Sequence, residues 1–176
     1  MNAINIGFNS SHWIKLMESS KEYELLTRAF DDGNKSVALY TYATLVAIKK
    51  GDIAGATRSA NMALKWANMP AGEAHAIDCP FCGGHGYIEI EYTPRHDLEN
   101  SKVVTASCSA CNGVGTMSPM RLFSDYAEDA FPENAVIAIL VKDYDTAKEV
   151  ASAVFNSIEQ HRKQVEEDSL DKHLRD

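Results

Sequence analysis

The 176-residue sequence has no long apolar run, only five prolines and only four cysteines. Its longest uninterrupted apolar stretch, AVIAILV at 135–141, is far shorter than the roughly 20 residues that a membrane-spanning helix requires. The start, MNAINIGFNSSHW, lacks the basic and apolar regions of a secretory signal peptide. We therefore expect a soluble cytoplasmic protein with no membrane partner, in which a reducing environment favours metal binding by cysteine over disulfides.

The sequence also lacks a basic tract. Lysine and arginine number 17 against 25 acidic residues, which gives a formal net charge of −8. Non-specific binding to nucleic acid depends on clustered Lys and Arg, so this balance excludes a general nucleic-acid coat protein. The candidates for a limited DNA contact are Lys49, Lys50, Arg58 and Lys65. The competing interpretation is that they form a solvated helix face.

Residues 1–75 form the first predicted region, which is helical. Helical periodicity runs from about Ser36 to Lys50, stops at Gly51-Asp52 and resumes over 53–67 with alanine-rich spacing. This pattern predicts an αα-hairpin. The hairpin resembles a single tetratricopeptide unit, but such arrays need about three repeats to bury their faces and no second copy is present.

Residues 76–117 form the second predicted region. YIEIEYT at 87–93 alternates apolar and acidic residues, as a half-buried strand does, and KVVTASC at 102–108 is rich in β-forming residues. The two predict an antiparallel hairpin, and the polar segment PRHDLENS between them predicts an exposed tip. Glu89 and Glu91 then lie on one strand face, either solvated or available as general bases.

Residues 118–176 form the third predicted region, again helical. Ser118 followed by Pro119 predicts a helix start, and Thr146 with Glu149 predicts another. QVEEDSLDKHLRD at 164–176 predicts a frayed tail. Periodicity does not decide whether 135–141 is strand or helix. The predicted fold is mainly α with a small zinc-stabilised β-hairpin insert.

The four cysteines occur in two copies of one motif, CPFCGGHG at 79–86 and CSACNGVG at 108–115. Two residues separate the cysteines of each pair, which lets both thiolates reach one ion at about 2.3 Å. Twenty-five residues separate the pairs. We predict one structural Zn²⁺ whose ligands are Cys79, Cys82, Cys108 and Cys111.

Each motif also repeats two glycines beyond its second cysteine: Gly84, Gly86, Gly113 and Gly115. Glycine accepts the positive φ values of a tight turn, which frees backbone N–H groups to bond the cysteine sulfurs. These glycines are therefore predicted to shape the metal site. The alternatives are two disulfides or a redox pair, and His85 in place of one cysteine ligand. His75 and His96 are predicted to face solvent.

The Cys-x-x-Cys-x-Gly-x-Gly motifs resemble those of the DnaJ-type zinc region, which has four motifs and two zinc ions. With two motifs, the resemblance implies half of that module and one zinc. The J-domain signature His-Pro-Asp is absent. Over about residues 76–130, including GTMSPMRLFSDYAEDA, the chain also resembles the Q-type late-gene antitermination proteins of lambdoid phages. Those proteins join a paused RNA polymerase and make it read through terminators.

These patterns lead to a hypothesis and a rival. The first is a non-enzymatic transcription antiterminator that contacts bacterial RNA polymerase in the host cytoplasm. The acidic composition favours contact with polymerase over contact with DNA. The rival is a DnaJ-like adaptor or inhibitor that grips a host protein. An enzyme is the third choice, since no nucleophile–base pair, phosphate loop or open metal site can be named.

Overall fold

The computed structural model describes residues 20–70 and 75–175, which divide into two compact units. The helical unit contains the described residues up to His75 together with 118–158. The knuckle unit contains 76–117 and 159–175. The division of the chain into three domains stays a prediction. Among the described residues, no helix is both long and apolar enough to cross a membrane.

The helical unit is built from short helices that pack around a buried centre. In chain order they are α1 (Ser20–Asp31), α2 (Lys35–Lys49), α3 (Ile53–Ala67), α4 (Pro119–Tyr126), α5 (Glu133–Leu140) and α6 (Tyr144–Gln160), with a 3-10 turn at Glu128–Ala130.

The predicted αα-hairpin is confirmed as α2 and α3, and both helices begin at side-chain caps. Asn34 accepts a hydrogen bond from the backbone N–H of Val37 at 3.1 Å, and Asp52 accepts one from that of Gly55 at 2.9 Å. These caps satisfy N–H groups that a helix start otherwise leaves unpaired. The Asn34 amide also donates to the carbonyl of Trp66 at 3.1 Å, which ties the start of α2 to the end of α3.

The stretch 135–141, which the sequence left open, lies in α5 and its C-cap. Every residue from Glu133 to Ile139 is buried, and α5 contacts α1, α2 and α3. A helix covered on all sides carries no polar face, so it has no periodicity by which to distinguish it from a buried strand. The predicted start of α4 is confirmed, because Ser118 accepts a hydrogen bond from the Arg121 N–H at 3.0 Å.

The knuckle unit contains two small antiparallel sheets and one helix. Strand β1 (Ile77–Asp78) pairs with β4 (Thr116–Met117), and β2 (Tyr87–Tyr92) pairs with β3 (Lys102–Ser107). The predicted hairpin is therefore confirmed. Together with the helices it confirms a mainly α fold with a small β insert.

The predicted frayed tail is wrong. Residues Arg162–Arg175 form helix α7, which buries Val165 and Ser169 and contacts β2 and β3. Only these two positions of the helix are buried, so its sequence shows almost no apolar face. Contacts with residues distant in the chain hold this helix, and local patterning does not reveal such contacts.

Candidate metal centre

The two cysteine motifs meet in the knuckle unit and bring all four sulfurs together. The cysteines are free and buried, and their Sγ atoms all lie within 4.8 Å of one another. Cys79 Sγ is 3.9 Å from Cys108 Sγ, and Cys82 Sγ is 3.7 Å from Cys111 Sγ. Sulfurs 2.3 Å from a tetrahedral ion are about 3.8 Å apart. The cluster can therefore hold one metal ion with little rearrangement.

Each motif folds into a knuckle, defined here as a Cys-x-x-Cys-x-Gly-x-Gly segment whose last glycine bonds its second cysteine. The backbone N–H of Gly86 donates to Cys82 Sγ, and that of Gly115 donates to Cys111 Sγ, each at 3.2 Å. The φ angles of these glycines are 86° and 89°. The predicted positive φ is present at Gly84 and Gly113 as well.

The two knuckles also bond to each other in a reciprocal pattern. The N–H of Cys79 donates to the carbonyl of Gly115, and the N–H of Cys108 donates to that of Gly86, each at 2.9 Å. Equivalent cysteines lie 29 residues apart along the chain. The repeated motif thus produces two facing copies of one turn, and each copy supplies two sulfurs to a shared centre.

Close approach of the two backbones is a second reason for the glycines. A Cβ added at Gly86 would lie 2.5 Å from the carbonyl oxygen of Gly113, and one at Gly115 would lie 2.5 Å from that of Gly84. Real Cβ atoms essentially never come so near a backbone oxygen. Only glycine at these two positions lets the knuckles meet.

The thiols do not have equal acidity. Burial raises the pKa of Cys79 to about 12 and also raises the pKa of Cys108. Burial acts in the same direction on Cys82, but hydrogen bonds from the N–H groups of Gly86 and Gly84, and from neighbouring cysteines, outweigh it and lower the pKa. A bound cation would replace the protons, since metals bind the thiolate form.

Helix α7 closes over the segments between the paired cysteines. Arg162 donates from Nη1 to the carbonyl of Phe81 at 3.2 Å and from Nη2 to that of Pro80 at 3.1 Å. Ser169 Oγ accepts from the N–H of Ser109 at 2.9 Å. One helix therefore bonds the x-x positions of both knuckles. The sequence did not predict this contact; its one signal is the four-residue spacing of Val165 and Ser169, the buried positions of α7.

The histidines and acidic residues that the sequence singled out do not join the cluster. His85 is exposed, and its ring centre lies 5.6 Å from that of Tyr87. His75 and His96 are exposed, as are Glu89 and Glu91 on the outer face of β2. In residues 20–70 and 75–175, the four cysteines form the only group of three or more Cys, His, Asp or Glu side chains close enough to share an ion.

The candidate DNA contacts lie in the helical unit, and all four are exposed. The Lys49 ammonium lies 4.7 Å above the ring centre of Phe155. Arg58 and Lys65 are seven residues apart, which places them on one face of α3. Lys65 lies in the last turn of α3, at the end remote from the turn that carries Lys49 and Lys50. The four cations therefore do not form a single patch.

No protein-family model, no curated protein and no solved structure matches this chain.

Proposed function

We propose that the cluster holds one Zn²⁺ and that the metal has a structural role. Four thiolates are the donor set that zinc prefers in closed tetrahedral sites, and they leave no coordination position for water or substrate. The cysteines are between 0 and 7% exposed, which agrees with a site that reactants do not enter. The observation that carries this proposal is the set of four mutually close buried sulfurs on two facing knuckles.

We further propose that the protein is a non-enzymatic regulator of the antiterminator type that acts on bacterial RNA polymerase. The support is the resemblance of residues 76–130 to Q-type proteins, which shares the two motifs and their spacing of about two dozen residues. A metal that rigidifies the hairpin would fix the surface that meets the polymerase. The net charge of −8 favours a basic protein surface over DNA as the main contact.

A transcription assay tests this role. The template carries a late promoter of the same genome followed by a terminator, and purified polymerase is supplied with the zinc-loaded protein. We expect an increase in full-length transcript, which Cys108→Ser abolishes and Ser152→Ala, at an exposed position of α6, preserves. Unchanged termination on every late-promoter template would rule out the antiterminator proposal while leaving the zinc proposal intact.

The adaptor function stays a second candidate because the hairpin exposes apolar side chains. Tyr87 is 48% exposed and Val103 is 66% exposed. The register of β2 and β3 places both on the same face of the hairpin, which also carries Glu89 and Glu91. A face of this kind fits a protein partner. A binding assay separates the two functions. If the protein binds purified polymerase and Val103→Asp abolishes this binding, the result supports antitermination. If the protein forms a complex with a chaperone and none with polymerase, the result supports the adaptor.

A further inference from the structure

The helical unit contains a cavity that neither the metal centre nor the proposed function uses. It has a volume of about 320 Å³ and lies against α1, α4 and the start of α5. Its wall includes Phe30, Met120, Phe123 and Phe131. The ring centres of Phe30 and Phe123 are 5.9 Å apart at an angle of 45°. Apolar walls, aromatic rings and this volume are typical of sites for small organic molecules.

A buried carboxylate lines the same cavity. Glu133 is 6% exposed, and the described part of the chain offers it no hydrogen-bond or ion-pair partner other than its own backbone N–H. Burial raises the pKa of Glu133 to about 7, against the effect of that N–H, and the charge of Asp31 raises it further. A carboxylate with so little contact with water is costly without an ion-pair partner, so a cation bound in the cavity would lower that cost.

Further polar groups point to the character of the ligand. Thr27 lines the cavity, and its hydroxyl oxygen is buried without a hydrogen-bond partner; it lies near the Tyr23 hydroxyl, but the two do not meet hydrogen-bond geometry. Asp31 and Glu128 also line the cavity, and both are exposed. No lysine or arginine does so among the described residues. The cavity is therefore negative at its mouth and in its interior.

The carboxylates do not converge on a metal ion. Within the described ranges, Asp31, Glu128 and Glu133 do not form a group whose oxygens could coordinate one cation. A molecule with a charged end and an apolar body fits this arrangement better than a bare ion. Phe131 supports the same interpretation because its φ of 48° places an aromatic residue in the left-handed region, where strain is typical of ligand-binding positions.

We propose that this cavity binds a small organic ammonium ion, with the ammonium group paired to the Glu133 carboxylate and the apolar body held among Phe30, Phe123 and Phe131. The aromatic rings contribute apolar contact with the body of the ligand. This site is independent of the zinc centre.

The test uses the full zinc-loaded chain labelled with ¹⁵N and three probes of similar size: 2-phenylethylammonium, 2-phenylethanol and 3-phenylpropanoate. We expect the ammonium ion to shift amide signals of α1, α4 and α5, the alcohol to bind at least tenfold more weakly, and the carboxylate not to bind. Glu133→Gln should weaken ammonium binding at least tenfold, while its matched exposed control Glu149→Gln leaves it unchanged.

A second variant keeps the test decisive if Glu133→Gln alters folding. Ser124 is exposed and lines the cavity, so Ser124→Phe should fill the space and abolish binding with Glu133 still in place. Ser152→Phe, at an exposed position of α6, is its control. The proposal is overturned by equal binding of all three probes, by no binding of the ammonium ion at millimolar concentration, or by undiminished binding in both Glu133→Gln and Ser124→Phe.

Discussion

The helical unit and the knuckle unit differ in what occupies their centres. The largest fully buried side chains, among them Leu26, Leu45, Leu122, Ile137 and Ile139, all belong to the helical unit. The centre of the knuckle unit holds the four cysteines, and a few apolar side chains, such as Phe81, Ala106 and Val165, are buried with them. The helical unit thus has an apolar core of ordinary composition, whereas the thiols of four cysteines occupy the centre of the knuckle unit.

This difference suggests that the two units depend on different chemistry within one chain. Burial of Leu and Ile side chains contributes about 1.5–3 kcal/mol each, which helices of the lengths found here can accumulate. A hairpin with short strands cannot gain enough stability in this way, so small modules of this kind use a metal. Removal of the metal should therefore leave the helical unit folded, and a substitution in the apolar core of the helical unit should leave the metal bound.

Removal of the metal is expected to have the largest effect. Structural zinc contributes about 10–16 kcal/mol of apparent folding free energy in small zinc modules. A chelator, or the substitution Cys108→Ser, should disorder the knuckle unit while the helical unit keeps its structure. Elemental analysis gives the metal content, with one zinc per chain expected, and amide NMR reports the two units separately.

Thr105→Ser, at an exposed position of β3, is the control for Cys108→Ser and should keep its zinc. Two metals per chain, or native protein whose cysteines are joined as disulfides, would contradict the single-zinc proposal. Knuckle signals that persist after complete metal removal would show that the thiol cluster is not what stabilises this unit.

Truncation of a buried side chain in the apolar core of the helical unit is expected to have the next largest effect on stability. Ile137 is fully buried in α5, and Ile137→Ala should lower the free energy of unfolding of the helical unit by about 2–5 kcal/mol. Zinc content should not change. Thermal unfolding followed by circular dichroism measures the loss. Leu98→Ala, at a position that is 76% exposed, is the control, and an equal loss in both variants would refute the role of the core.

The knuckle glycines allow the comparison to be sharpened inside the metal unit. Gly83 and Gly86 both have positive φ, but an added Cβ at Gly83 would meet no atom nearer than 3.8 Å. Gly83→Ala therefore introduces the backbone strain alone, whereas Gly86→Ala adds a clash with the facing knuckle. We expect Gly86→Ala to be less stable by about a further 1–3 kcal/mol. Competition with a chromogenic chelator measures zinc affinity in each.

Gly33 supplies a control outside the metal unit, since its φ is 74° and a Cβ there would meet no atom within 4 Å. Gly33→Ala should leave zinc affinity unchanged. Equal zinc affinity in Gly83→Ala and Gly86→Ala would mean that the close backbone approach does not matter for the site.

The smallest expected effect concerns the docking of α7 on the knuckles. Arg162→Ala removes two hydrogen bonds to backbone carbonyls from a side chain that is 35% exposed, so we expect a loss of about 1–2 kcal/mol. Hydrogen exchange at the Ser109 amide, which bonds Ser169, should accelerate. Lys163→Ala, its exposed neighbour, is the control. Unaltered exchange in Arg162→Ala would show that α7 docks without this contact.

The sequence predicted those parts of the molecule whose causes are local. The knuckles follow from the spacing of Cys79, Cys82 and their glycines, and the start of α4 follows from Ser118 at its cap. The sequence predicted the break between α2 and α3 at Gly51-Asp52, but it did not identify Asn34 and Asp52 as helix caps. The cap of α6 shows the limit of such patterns. The sequence predicts a start near Thr146, but α6 begins at Tyr144, and Asp143 accepts hydrogen bonds from the Thr146 N–H and hydroxyl.

The features that the sequence did not predict depend on residues distant in the chain. Nothing near Arg162 indicates that its partners are the carbonyls of Pro80 and Phe81, 82 and 81 residues earlier. Likewise, an acidic residue in the first turn of a helix is ordinary, so the sequence does not indicate that Glu133 is buried. The Q-type role stays a prediction.

The contact between α7 and the knuckles has a consequence for the order of events during synthesis. Both knuckles are complete once Gly115 has been synthesised, but Ser169, the serine that bonds Ser109, lies 60 residues after Ser109. At about 5–20 residues per second, this delay amounts to roughly 3–12 s. The whole of α4, α5 and α6 is translated in that interval. The nascent chain must therefore hold the first and second knuckles without their closing helix, and the unit that begins before residue 80 is completed only when the last helix emerges.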